Sequence, residues 1–269
     1  MQPSLSTSDF ITHLFVRIDD TLQDQSHPVL SKLHLSEVVT LGCLFALKGR
    51  SFLAFYRWLK RDFLALFPQL PERSRLQRIL EKYAFWCVDF LAQPSFFTVI
   101  DSYPIETIRP CRAGRSPNQL GRKSKDKGRW SVGLKLCWRV NDTGAVVNFG
   151  WSTMNAPDQL FHGLAQKLEG KTVVLADWGF RSEDGVPDNF KLCKKGTWNE
   201  RMQVETALSM VTRVLNLKYM EHRVSKYVTA HLAYAVTVYN LLLEFSRELL
   251  GWEDSPEKCF KMSIAQFSL

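Results

Sequence analysis

Three carboxylates carry the chemistry that this sequence can offer. Asp101 closes the run Phe96-Phe-Thr-Val-Ile100 and precedes Ser102-Tyr103-Pro104, and Asp177 closes Thr172-Val-Val-Leu-Ala176 and precedes Trp178-Gly179. Short β-branched and apolar runs bounded by turn residues read as buried parallel strands. In open α/β sheets, reactive groups gather just beyond the carboxyl ends of such strands. The third acid is Glu205, in a stretch where Val204, Leu208, Val211 and Leu215 keep helical spacing and Arg201 stands four residues earlier. Glu205 then lies at the edge of a buried helix face and can point across the sheet end. Oxygen donors without His or Cys suit Mg²⁺, which takes carboxylates and keeps waters. A pair of such ions about 4 Å apart serves in-line displacement at a phosphodiester. Each aspartate taken alone reads first as a cap for the turn that follows, and Arg201 with Glu205 alone as a surface pair. The third acid is what favours a metal site.

The elements that must position these acids follow from the pattern along the chain. Residues 1–92 read as a helical unit, with helices over 9–22, 36–47 (Ser36 as N-cap), 52–67 and 73–91. The last of these carries a basic flank of Arg73, Arg75, Arg78 and Lys82. Pro94 marks the boundary, and the Asp101 strand follows. Residues 109–129 hold Gly114, Pro117, Gly121 and Gly128 and read as a loop. Trp130 to Asn141 alternates, with Val132, Leu134, Leu136 and Trp138 on one face; Asp142-Thr-Gly144 turns it into a partner over 145–153. A helix over 155–168, the Asp177 strand, a short strand over 190–193, the Glu205 helix and a long apolar helix over 225–250 complete the order. A tail runs over 251–269. The boundaries are therefore 1–92 for a helical unit, 93–250 for the unit that carries the three acids, and 251–269 for a tail.

Composition narrows the class. The 269 residues are 45% hydrophobic, enough for a substantial core, and carry a formal net charge of +8. Ten Lys or Arg stand against one acid, Asp126, between Arg109 and Arg139. An excess concentrated in one segment favours a polyanion, nucleic acid before a membrane surface. The six cysteines form no CxxC pair, which argues against a zinc module and suits a reducing cytosol. The N-terminus shows no basic region before an apolar run, so no secretory signal is expected. The apolar run from Val228 to Leu243 is shorter than the roughly 20 residues a membrane span needs.

Strand with Asp, hairpin, helix, strand with Asp, helix with Glu is the order of an RNase H-like core, a mixed sheet flanked by helices. On particular segments the chain resembles the bacterial insertion-sequence DDE transposases, most of all the group numbered nine-eighty-two. Leu35-Ser-Glu-Val-Val-Thr-Leu41 and Leu70-Pro-Glu-Arg-Ser-Arg-Leu76 are similar to that group's N-terminal part, and Ile100-Asp-Ser-Tyr-Pro104 to its first-Asp segment. Gly133-Leu-Lys-Leu136 with Asn141 resembles its hairpin, and Leu175-Ala-Asp-Trp-Gly-Phe180 its second-Asp segment. The third motif of these families is Tyr, two residues, Arg, three residues, Glu, six residues, Lys. Here Trp198 replaces the Tyr, Arg201 and Glu205 fit, and Thr212 beside Arg213 stands where Lys is expected.

The resemblance implies a DNA transposase that cleaves and joins strands with two Mg²⁺ ions, Mn²⁺ serving as a substitute. Asp101 is then shared by both metals, with Asp177 and Glu205 each completing one side. Arg201 and Lys135 are implied phosphate contacts, and Trp198 either stacks on a base or packs. The basic residues Arg112, Arg115, Arg122, Lys123, Lys125, Lys127 and Arg129 are expected to border the cleft and hold the DNA backbone. The implied partners are double-stranded terminal repeats and target DNA, with a homodimer to bring two ends together and no membrane. The implied location is the bacterial cytoplasm, at the nucleoid. A nuclease on the same fold that cuts without joining, and a non-catalytic DNA-binding transposase remnant, are the alternatives.

Overall fold

The computed structural model describes residues 6–23, 32–49, 51–126, 128–166, 170–193, 214–215 and 217–250. These form two compact units. One comprises the described residues up to Phe90 with Val214, Leu215 and the helix from Lys226; the other comprises those from Leu91 to Cys193 with Leu217–Ser225. The long last helix, grouped by sequence with the catalytic domain, is thus part of the helical unit.

In that unit, α1 (Thr7–Leu22) starts at Ser6, whose hydroxyl accepts from Asp9 N at 3.2 Å. Helix α2 (Leu35–Lys48) is buried on nearly every side, as expected of a helix that is apolar all round. Its N-cap is His34 rather than Ser36: the Glu37 carboxylate accepts from His34 N at 2.6 Å, and Ser36 instead donates to Asp19 at 2.5 Å. Helix α3 (Phe52–Asp62) ends sooner than the apolar spacing suggests. Tight turns from Phe63 carry the buried Phe67 to the core ahead of Pro68, a residue that disfavours helix in its predecessor. Helix α4 (Arg73–Tyr83) passes into a 3-10 segment, Ala84–Phe90. The C-terminal helix Ser225–Leu250 is tied in by Tyr234, which donates to Leu80 O at 2.8 Å, and by Asn240, which donates to Phe90 O at 2.9 Å. It is long and apolar enough to cross a bilayer, yet 89% of its apolar window is buried, the behaviour of a core helix. At about 1.5–3 kcal/mol per large apolar side chain removed from water, α2 and this helix dominate the unit's stability.

The second unit is a six-stranded mixed sheet. Its strands are β1 (Phe97–Ile108), β2 (Arg122–Asp126), β3 (Arg129–Asn141), β4 (Val146–Thr153), β5 (Val173–Ala176) and β6 (Phe190–Leu192). Strand β3 lies antiparallel to β1 along one edge, and its other edge is shared by β2 and β4, also antiparallel; β5 runs parallel to β1 and β6 parallel to β5. The basic segment is therefore not wholly a loop. Its second half is β2, which lacks apolar alternation and pairs through its backbone with residues 129–133. The helix expected over 155–168 is a 3-10 turn, Asp158–Phe161, and a one-turn helix, Gly163–Gln166. These cover the face on which Ile100, Cys137, Val174 and Ala176 meet Phe161, Ala165 and Phe180.

Arg139 is on that covered face too, fully buried. It donates to Thr98 Oγ1 at 2.8 Å, to Leu164 O at 3.3 Å and to Thr172 Oγ1. Burial lowers its pKa to about 10, which still leaves it charged at neutral pH. One cation of the basic segment is thereby a clamp across β1, β3 and the entry to β5. Gly133 allows β1 and β3 their close approach, since a Cβ there would stand 1.9 Å from Ile105 O.

Candidate functional site

Parallel pairing of β1 with β5 sets Phe97 against Val173, Thr98 against Val174 and Val99 against Leu175. Asp177 keeps an extended backbone (φ −81°, ψ 175°), so two further residues along the same register bring it level with Asp101. Counted by strand alternation, Asp101 and the residue that follows β5, Asp177, have the same parity, on strands about 4.8 Å apart. That parity is opposite to that of the face covered by Phe161 and Ala165. Both residues are half-buried.

Strand β5 ends where it does because the Asp177 carboxylate caps the 3-10 turn Trp178–Phe180, accepting from Gly179 N at 2.8 Å. Asp101 Oδ1 accepts from Ser102 N at 2.8 Å. Capping and metal binding are thus compatible for these residues, because a carboxylate offers about four acceptor positions and a cap uses one.

The edge of β1 is covered by β5 only at residues 97–99. Farther along, Glu106 N donates to Lys218 O at 3.1 Å and Met220 N donates to Glu106 O at 2.9 Å. Between these two attachments no described strand pairs with that edge, and Asp101 stands in the opening. Trp198, Arg201 and Glu205 lie outside the described residues, as does Lys127. The described chain leaves the sheet just after β6 at Cys193 and pairs again beside Glu106. Among the described residues, no group of three or more His, Cys, Asp or Glu converges as a metal site. The two carboxylates that are described, Asp101 and Asp177, are oxygen donors, the type that Mg²⁺ takes.

Along β3, Lys135 has the parity opposite to that of Trp138, the cross-strand partner of Asp101. It pairs across strands with Pro104 and Ser152, on the side of Cys137 and Arg139. Its ammonium is held by Asp158 Oδ1 at 2.9 Å and Ala156 O at 2.6 Å. The residue expected from sequence to contact phosphate is thus engaged in an internal ion pair. Asp158, read from sequence only as part of a helix start, comes close to the Asp177 turn. A Cβ at Gly179 would meet Asp158 Oδ2 at 2.9 Å and Asp177 Oδ1 at 3.0 Å.

The basic hairpin divides between the two faces. Lys125 lies opposite Trp130 and Lys123 opposite Val132. Trp130 and Val132 share the parity of Trp138, the cross-strand partner of Asp101. Lys123 Nζ stands 4.4 Å and Lys125 Nζ 5.8 Å from the Trp130 ring centre, and that ring is 48% exposed. A cationic and aromatic ledge therefore lies on the aspartate face, about 26 Å along β3 from the position opposite Asp101, at 3.3 Å per residue. Arg129 belongs to the other face, paired with Glu106 at 3.2 Å. Arg122 shares that face and is exposed, and Arg112 and Arg115 are exposed in the turns before β2. Trp130 was legible in sequence only as the start of a strand. The usable signal was its place four residues after the last Asp of a Lys-x-Lys-Asp hairpin arm. No protein-family model and no curated protein matches this chain.

Proposed function

We propose that the chain is a DNA-cleaving and DNA-joining enzyme of the insertion-sequence DDE transposase type, built on an RNase H-like core. The observation that carries this reading is the level placement of Asp101 and Asp177 on neighbouring parallel strands, at the open stretch of β1. Sheet order supports it: the antiparallel β4, β3 and β1, then β5 and β6 parallel to β1, follow the order of such a core.

In this proposal Asp101 and Asp177, with Glu205, hold two Mg²⁺ or Mn²⁺ ions. When bound, the ions supply Lewis-acid stabilisation of charge on the attacking and leaving oxygens of an in-line displacement. The protein's own part is to fix the carboxylates against a rigid sheet and to hold the DNA backbone over them. Lys123, Lys125 and Trp130 hold a flank of the DNA about eight phosphates away, at about 3.4 Å per nucleotide of one strand. Water attacks the phosphorus at the element's end, the P–O3′ bond breaks, and a free 3′-hydroxyl remains. That hydroxyl then attacks a target phosphodiester, releasing the target's own 3′-hydroxyl. One P–O bond forms for each one broken, so no covalent enzyme intermediate and no energy source is needed. Two element ends must meet, hence the proposed homodimer on DNA.

The test is a labelled element-end oligonucleotide with target DNA and Mg²⁺, using wild type beside Asp101→Asn. Metal-dependent cleavage and joining, both abolished in the variant, is the expected result. Cleavage without joining would assign a nuclease. Salt-sensitive binding with no cleavage by either protein would overturn the catalytic proposal.

A further inference from the structure

We propose that the cleft between α3 and the first turn of α4 binds adjacent phosphates of a nucleic-acid backbone, as a second DNA contact separate from the carboxylates. The cleft holds about 430 Å³ and is lined by Leu53, Tyr56, Arg57, Lys60, Arg61 and Arg73, four cations with no carboxylate among them. Spacing explains the lining. Leu53, Tyr56, Arg57 and Lys60 fall at i, i+3, i+4 and i+7, one face of a helix, while Phe55 and Leu59 bury the other. All four cations are exposed.

The fold holds the far wall in place. Tyr56 donates to Pro71 O at 3.1 Å, which fixes the approach to α4 and so the position of Arg73. Glu72, the nearest acid in sequence, is occupied in capping α4, accepting from Ser74 N at 3.0 Å and Arg75 N at 3.3 Å. Arg61 is engaged by Asp62, with both hydrogen bonds at 2.7 Å. Arg57, Lys60 and Arg73 are therefore the principal cations of the cleft. Neighbours three apart on a helix stand about 5–6 Å from each other, so Arg57 and Lys60 reach separate anionic groups. That favours a polyanion over a single phosphate ion, and the half-buried Tyr56 with exposed Leu53 offers an apolar surface for the sugar. The choice of DNA as the polyanion rests on the function proposed above; the preference for adjacent phosphates rests on the cleft.

The experiment uses the full chain in EDTA, where no cleavage occurs, with a fluorescein-labelled 20-base-pair duplex titrated across NaCl concentrations. Arg57→Gln/Lys60→Gln is compared with wild type and with Arg78→Gln, an exposed cation of α4 that does not line the cleft. Removing one cation from a phosphate should lower the log–log salt slope by about 0.9, equivalent to about eightfold in affinity at 0.1 M salt. The slope of the double variant should therefore fall by nearly 2, while Arg78→Gln binds as wild type. An unchanged slope and affinity in a double variant with wild-type melting temperature would overturn the proposal. Thermal stabilisation by tripolyphosphate that is absent in the double variant, with duplex affinity unchanged, would overturn the nucleic-acid assignment. Failure of cleavage in the separate Mg²⁺ assay, with the slope difference intact, would count against the carboxylate reading alone.

Discussion

Gly179→Ala places a methyl group between the two carboxylates at the end of β5. The added Cβ would stand 2.9 Å from Asp158 Oδ2 and 3.0 Å from Asp177 Oδ1, where ordinary contact begins near 3.4 Å. Neither oxygen yields freely. Asp158 is tied to Lys135 at 2.9 Å, and Asp177 accepts from Gly179 N itself at 2.8 Å. The readiest relief is for Asp177 to leave its cap and shift by several tenths of an ångström. Loss of a cap costs about 1 kcal/mol, or roughly 2–4 °C in melting temperature for a chain of this size. A misplacement of 1 Å at a reacting centre costs about a hundredfold in rate, so a shift of part of that should cost on the order of tenfold. The assay is calorimetric melting alongside single-turnover cleavage of the element-end oligonucleotide. A cleavage rate within twofold of wild type would refute the reasoning, since it would mean that the position of Asp177 does not govern the chemistry. So would a melting temperature lowered by more than about 10 °C, which would mark Gly179 as a structural residue.

Gly133→Ala should be far more costly, because its Cβ would fall 1.9 Å from Ile105 O; we expect about 3 kcal/mol or more, seen as a lowered urea midpoint. Lys135→Ala should destabilise by about 1–3 kcal/mol, as expected when a charge-assisted hydrogen bond is removed, and leave the salt slope of DNA binding unchanged. A reduced slope would restore Lys135 as a phosphate ligand. Trp130→Ala should weaken binding of a single-stranded DNA flank by about 1–3 kcal/mol, the value of one base stacked on an aromatic ring, measured by anisotropy. Burial lowers the pKa of His222 to about 4, below its unfolded value near 6.5. The folded state thus resists protonation that the unfolded state accepts. The contribution is complete above about 6.5 and is lost as pH falls towards 4; His222→Gln should flatten that part of the stability profile in urea titrations at successive pH values.

The Asp177 strand was legible because a buried parallel strand writes itself as an unbroken apolar run, and Thr172 to Ala176 ends sharply at a carboxylate; the run before Asp101 does not end there, because β1 continues through Asp101 to Ile108, held by its antiparallel pairing with β3. What sequence could not show is which side of the sheet a residue faces once strands pair. Lys135 and Lys123 belong to the same basic segment, yet register sends Lys135 to Asp158 and Lys123 to the aspartate face. Arg139 counted as surface charge and is fully buried, since its neighbours Thr98 and Thr172 become acceptors only when β1, β3 and the entry to β5 assemble. Strand β2 was hidden because its residues are exposed and polar, so no apolar alternation marks it. The early end of α3 was hidden because Phe63 and Leu66 continue the helical spacing that the backbone abandons. The membership of the last helix was invisible for a related reason: an apolar stripe does not name its partner. Asp158 escaped notice because Asn155-Ala-Pro-Asp158 also reads as an ordinary helix start.

In the proposed enzyme, Asp101, Asp177 and Glu205 act as one metal-binding group. Manganese titration of the full chain followed by electron paramagnetic resonance, with wild type, Asp101→Asn and Glu205→Gln in parallel, tests this directly. We predict two Mn²⁺ per chain in wild type, loss of both in Asp101→Asn, and retention of no more than one in Glu205→Gln. Manganese binding that is absent in wild type, or unchanged by both substitutions, would contradict the shared site and leave the two aspartates as caps of their turns.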